Sequence, residues 1–114
     1  MPRTLCQLSD LPDPGSARFA FDGDSHGHGL CVVRRGEAVY GYLNRCPHTG
    51  GPLDWQPGVF LSLDRQFIQC STHGARFRVA DGFCVSGPCA GASLRRAPVR
   101  LNGDKVELVE QTVA

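Results

Sequence analysis

No stretch of this 114-residue chain approaches the roughly 20 consecutive apolar residues that a membrane-spanning helix requires. The opening segment, Met1-Pro2-Arg3-Thr4-Leu5-Cys6, lacks the apolar core of a secretory signal, so a cytoplasmic protein without a membrane anchor is expected. Charge of one sign is also missing. Twelve basic residues against eleven acidic ones leave a net charge of +1, which gives no case for nucleic acid or an anionic membrane surface as partner. No segment keeps a helical period over about 11 residues, and there is no internal repeat or low-complexity tract. Nor does any nucleophile sit in a recognisable pairing with a base, so the chain is not expected to be an enzyme in its own right.

What is present is a succession of short segments rich in β-branched and aromatic residues, most bounded by Gly, Pro or Asp. Leu30 to Arg34, Ala38 to Leu43, Val59 to Leu63, Phe67 to Gln69, Phe77 to Val79 and Phe83 to Val85 read as strands, as do Phe19-Ala20-Phe21, Val99 to Leu101 and Lys105 to Val109. Leu5 to Leu8 adds a candidate edge strand after a proline-rich lead-in. The spacing predicts one all-β domain over residues 1–114, a sandwich or barrel of antiparallel sheets. Asp81-Gly82 suits a two-residue type I′ hairpin turn. Trp55 is expected to be a packing anchor.

The most specific feature is a pair of fragments, Cys46-Pro47-His48 and Cys70-Ser71-Thr72-His73, separated by residues 49–69. Each offers one thiolate and one imidazole. Two such loops side by side give two sulfurs to one iron and two nitrogens to a second, the ligand split that defines a Rieske centre. Cys2His2 is also a common tetrahedral zinc set, so a structural zinc or interaction module is the alternative. Zinc fingers, however, usually pair like residues within each fragment, and these fragments pair one Cys with one His at unequal offsets.

With their flanks, Cys46-Pro47-His48-Thr49-Gly50-Gly51-Pro52-Leu53 and Cys70-Ser71-Thr72-His73-Gly74-Ala75, the fragments resemble the cluster loops of the Rieske-type [2Fe-2S] ferredoxin family, over roughly residues 16 to 110. The resemblance implies a base built from both ends of the chain that carries an inserted cluster-binding subdomain at about residues 44–90. It implies one [2Fe-2S] cluster per chain, with Cys46 and Cys70 on the inner iron and His48 and His73 on the outer one. It further implies a one-electron carrier between a reductase, such as a flavoprotein, and a terminal oxygenase or other redox enzyme. The small Rieske subunit of a nitrite-reductase-like complex is a second reading, because residues 49–69 form a longer connection than is usual in small ferredoxins; the excess is expected as a long hairpin at Val59 to Gln66.

High-potential members of the family place a serine just after the His-Gly of the second loop, a tyrosine two residues on, and a disulfide bracing the loops. This chain has Ala75, Phe77, and Gly51 with Thr72 at those positions. Neither Ala75 nor Phe77 has a side-chain donor, which points to the lower end of the range of about −150 to +300 mV. Ser86-Gly87-Pro88-Cys89 resembles the proline loop that covers the cluster. Of the remaining cysteines, Cys31 is expected as a small buried hydrophobe, while Cys84 and Cys89 are candidates for a local disulfide or a redox role. His26 and His28 are expected as solvated loop histidines, with a metal role as the alternative, and Arg76, Arg78, Arg95 and Arg96 singly as solvated strand positions, with a basic docking face near the cluster as the alternative.

Overall fold

β-Branched and aromatic residues set the strands, and their alternation sets which side chains meet. The structure, a computed structural model, describes residues 3–20, 28–47, 50–71 and 74–109. Among these residues the strands are β1 (Arg3–Gln7), β2 (Gly15–Phe19), β3 (Leu30–Arg35), β4 (Ala38–Leu43), β5 (Phe67–Gln69), β6 (Arg76–Arg78), β7 (Cys84–Ser86), β8 (Val99–Asn102) and β9 (Lys105–Leu108). They form three antiparallel three-stranded sheets in the orders β1-β9-β8, β2-β3-β4 and β5-β6-β7. The first sheet thus joins the two ends of the chain. The sole helical element among the described residues is a 3-10 turn at Leu8–Asp10, so none is long and apolar enough to cross a membrane.

β3 explains how the layers share a core. Its residues Leu30 to Val33 are all buried, and successive side chains of a strand point to opposite faces. Leu30 and Val32 pack with Leu43, Ala97, Leu108, Leu11 and Val106 toward the sheet of chain ends. Cys31 and Val33 join Tyr42, Phe60, Ile68 and Phe77 in a second core that also contains Cys46 and Cys70. Tyr42, opposite Cys31 across the β3–β4 ladder, donates its hydroxyl to the Val79 carbonyl at 2.5 Å and so ties β4 to the end of β6. Residues 95–97 are sewn onto the far side of β4 by Leu43 N–H to Arg95 O (2.8 Å) and Ala97 N–H to Gly41 O (2.9 Å).

Several sequence expectations shift. The second strand is Gly15–Phe19 and not Phe19 to Phe21; its five residues pair with β3 from Gly15↔Arg34 to Phe19↔Leu30, and Phe21 lies outside the described residues. Val59 to Leu63 is no strand. It contributes single bridges, Gln56↔Val59 and Leu61↔Ile68, because Pro57-Gly58 and Leu63 to Gln66 bend the chain on either side. The expected hairpin is nevertheless there, shorter than a regular strand pair: Leu61 bridges Ile68, Ser62 N–H donates to Phe67 O and Gln69 N–H to Phe60 O (both 2.8 Å), and residues 63–66 make its turn, held by Arg65 N–H to Ser62 O at 2.8 Å. The turn at Asp81-Gly82 is not type I′. That type needs positive φ at both central residues, and Asp81 does not have it. The connection is the four-residue loop 79–82, closed by Gly82 N–H to Arg78 O at 2.8 Å.

Candidate metal centre

The two cysteine loops are built alike. Cys46 N–H donates to Gly51 O (2.8 Å) and Gly50 N–H to Cys46 O (2.7 Å); Cys70 N–H donates to Ala75 O (2.8 Å) and Gly74 N–H to Cys70 O (3.1 Å). Each cysteine therefore starts a tight loop that returns to its own backbone at the same offsets. Gly50 (φ 75°) and Gly74 (φ 68°) make the return in the left-handed region, which a side chain at Cβ disfavours by about 1–2 kcal/mol. Here the glycines expected beside the ligand pairs have a defined role. They let two chain segments with different side chains adopt one loop shape.

Polar side chains lock the loops to the frame and to each other. Asn44, 1% exposed at the end of β4, donates through Nδ2 to His28 O (2.9 Å) and to Asp54 Oδ1 (3.0 Å), and its Oδ1 accepts from Leu53 N–H (2.6 Å). It thereby closes the first loop from both sides. Asp54 extends this brace to Gly58 N–H (3.1 Å) and lies 3.6 Å from the Arg18 guanidinium. The second loop is fastened to the first by Ser71 N–H to Leu53 O (2.9 Å) and Ser71 Oγ to Pro52 O (3.2 Å). Nothing in the sequence singled out Asn44 or Asp54. Their partners lie in segments that meet only after folding, and a lone Asn at a strand end is common turn chemistry.

Cys46 and Cys70 are each 1% exposed and belong to the same packed core group. His48 and His73 lie outside the described residues, as do Thr49, Thr72 and His26. The proline-loop residue Cys89 brings its Sγ to 3.7 Å from that of Cys46. No disulfide joins any of the six cysteines; Cys84 instead donates its thiol to Ser86 O at 3.2 Å. Cys31 is fully buried as expected, and desolvation, with the nearby Asp54 carboxylate, pushes its thiol well above the ordinary range, so it stays neutral.

The surroundings are mixed. A cleft beside the first loop runs from Cys46, Pro47 and Gly50 to Arg45, Ser93 and Arg95. Another lies between the second loop at Cys70, Ser71 and Gly74 and the exposed side chains of Trp55 and Leu63. Trp55 is 44% exposed, with Nε1 3.4 Å from Leu61 O, so it caps a turn and is not the packing anchor expected of it. The four arginines of the expected basic face have separate local partners or settings. Arg78 pairs with Asp81 (2.6 Å), Arg96 donates to Ala80 O (3.0 Å), Arg76 stacks over Phe67, and Arg95 lines the first cleft.

Two buried thiols on matching, interlocked loops, each followed by a glycine return, fit the sulfur half of an iron–sulfur centre, and the all-β frame holds them on a rigid core. That combination is the one an iron–sulfur protein needs. The chain belongs to the Rieske [2Fe-2S] domain family, whose model matches residues 2–110, and its cofactor is a [2Fe-2S] cluster. Solved structures agree. The ferredoxin of carbazole 1,9a-dioxygenase from Nocardioides aromaticivorans is similar at 29% identity and TM-score 0.75, covering 95% of this chain and 96% of that one. A complex of reduced oxygenase and oxidized ferredoxin in carbazole 1,9a-dioxygenase gives 25% identity and TM-score 0.74, over 99% of this chain and 95% of that one. The Sphingomonas yanoikuyae ferredoxin shares the fold at 22% identity and TM-score 0.73, covering 96% and 99% of the two chains. No match is found among curated protein sequences.

Proposed function

We propose that the protein is a Rieske-type ferredoxin, a one-electron carrier and not a catalyst, that passes electrons from a reductase to a terminal oxygenase. The observation that carries this reading is the pair of equivalent cysteine loops with both thiols buried and the loops bound to each other. The match over 96% of a dioxygenase-system ferredoxin's own length supports a carrier over a subunit of a larger reductase, and the ferredoxin in an oxygenase complex supplies the partner class. Cys46 and Cys70 would hold one iron as thiolates, and His48 and His73 the other through imidazole nitrogens. The cluster, when bound, takes up and gives back one electron, at a potential raised above that of all-Cys clusters.

The protein's own residues orient and shield. Asn44 and Ser71 fix the spacing of the two loops, and the apolar packing of Leu53, Phe60, Ile68 and Phe77 around the cysteines excludes water. A flavoprotein is the reductase this reading names. One domain over 1–114, with a cluster-binding part at about 44–90, and a cytoplasmic setting that keeps its thiols reduced complete the reading. Electron paramagnetic resonance of anaerobically purified protein, before and after dithionite, tests it with iron and sulfide assays. The expected outcome is a reduced signal with average g below that of all-Cys [2Fe-2S] ferredoxins and about two irons per chain. Stoichiometric zinc with no signal would overturn it.

A further inference from the structure

The proline loop reaches the first cysteine through sulfur. Cys89, 5% exposed, places its Sγ 3.7 Å from Cys46 Sγ, within range of a hydrogen bond involving sulfur. Resting on the reading of Cys46 as an iron ligand, we propose that the Cys89 thiol donates a hydrogen bond to the Cys46 sulfur and so raises the reduction potential of the cluster.

Between two thiols either sulfur is able to donate. A cysteine that binds iron does so as a thiolate and has no proton left, whereas an ordinary thiol near neutral pH keeps its own. Ligation therefore fixes the direction from Cys89 to Cys46. A donor on a ligand sulfur stabilises the more negative, reduced state more than the oxidised one, which makes electron uptake easier.

The loop holds Cys89 in this position. Ala90 N–H donates to Gly87 O (3.1 Å), Ala92 N–H to Cys89 O (2.8 Å) and Cys84 N–H to Ala92 O (2.8 Å), which anchors the turn on β7. Gly87 (φ 94°) rests directly on the second cysteine loop; a Cβ there would stand 2.7 Å from Ala75 Cα, so a larger residue would push the turn outward. Cys84 has a different task, since its thiol is given to Ser86 O. Ala75 and Phe77 are fully buried and have no side-chain donor, so Cys89 supplies a side-chain donor where those two residues supply none.

The test compares midpoint potentials, by protein-film voltammetry, of wild type, Cys89→Ala, Cys89→Val, Cys89→Ser and Cys84→Ala, each loaded and checked by resonance spectroscopy. Cys89→Ala should keep the Rieske signal while its one-electron reduction equilibrium falls by up to about tenfold, which is about 59 mV. Cys89→Val removes the donor without leaving a cavity and should give the same fall if the alanine variant fails to load. Cys89→Ser, which keeps a donor, should lie closer to wild type, and Cys84→Ala should match it. An unchanged potential in the alanine or valine variant, with the signal intact, overturns the proposal. Loss of the Rieske signal in the wild type itself would instead sink the parent reading, and this one with it.

Discussion

Asn44 shows how much one side chain contributes to the centre. Its amide spends both donor and acceptor at this junction, donating to the part-buried His28 O and Asp54 Oδ1 and accepting from the buried Leu53 N–H. Asn44→Ala leaves those three groups without it, and a buried group stripped of its partner costs about 1–3 kcal/mol. The variant should therefore lose about 2–3 kcal/mol in a denaturant titration, allowing for partial rescue by water, and should release iron faster than wild type during chelator challenge. Wild-type stability in both assays would show that Asn44 is not the brace its bonds suggest. At this scale the sequence was informative where the chemistry is local. Cys46 and Cys70 stand out in the sequence because the Cys-and-His spacing and the flanking glycines sit within a few residues of each other, and the structure buries both thiols on matching loops. Asn44 and Asp54 do not, because what makes them matter is a contact between separate chain segments.

Elements follow the same rule. β3, β4 and β5 stand where β-branched and aromatic runs place them, to within a residue, and β3 has its ends marked on both sides by Gly29 and Gly36. The turn after β6 departs from the expected two-residue form because Asp-Gly is an ambiguous signal: the same dipeptide also ends a four-residue loop, and only the pairing of Arg78 with Phe83 decides between them. β2 starts earlier than its sequence suggests, since Gly15-Ser16-Ala17 has weak strand propensity and is strand because β3 offers it a full register. That loop after β6 is held to β4 through Tyr42, whose burial pushes the phenol from 10.0 up to about 12. A raised folded-state value means the neutral phenol is the stabilising form. Its contribution is complete below pH 10, the unfolded value, and is lost as pH rises to about 12, the folded value. Tyr42→Phe should lose about 1–2 kcal/mol at pH 7, the hydroxyl's bond to a buried carbonyl, and its stability should fall less steeply than wild type above pH 10. Parallel pH–stability curves for the two proteins would count against the Tyr42 tie.

The whole molecule divides into two cores on the faces of β3, and only one of them touches the cysteine loops. Cys46, Cys70, Ala75, Cys84 and Cys89 all lie in the core with Cys31 and Val33, whereas Leu30 and Val32 pack with Leu108 and Val106 on the far face. A cluster bound through the two loops stabilises the folded form alone, so its removal should be felt unevenly. The far core has no part in the centre and is closed by the pairing of both chain ends in β1-β9-β8. Hydrogen exchange on protein stripped of iron, compared with the loaded form, should show the amides of Cys46, Gly50, Cys70 and Gly74 losing most of their protection. Those of β3 and β9 should retain theirs, with a lower overall melting temperature. Uniform loss across both cores would mean that the cluster supports the entire fold and that the frame cannot stand without it. Uniform retention would mean that the loop hydrogen bonds alone set the cysteine geometry, and that iron enters a site already in its final shape.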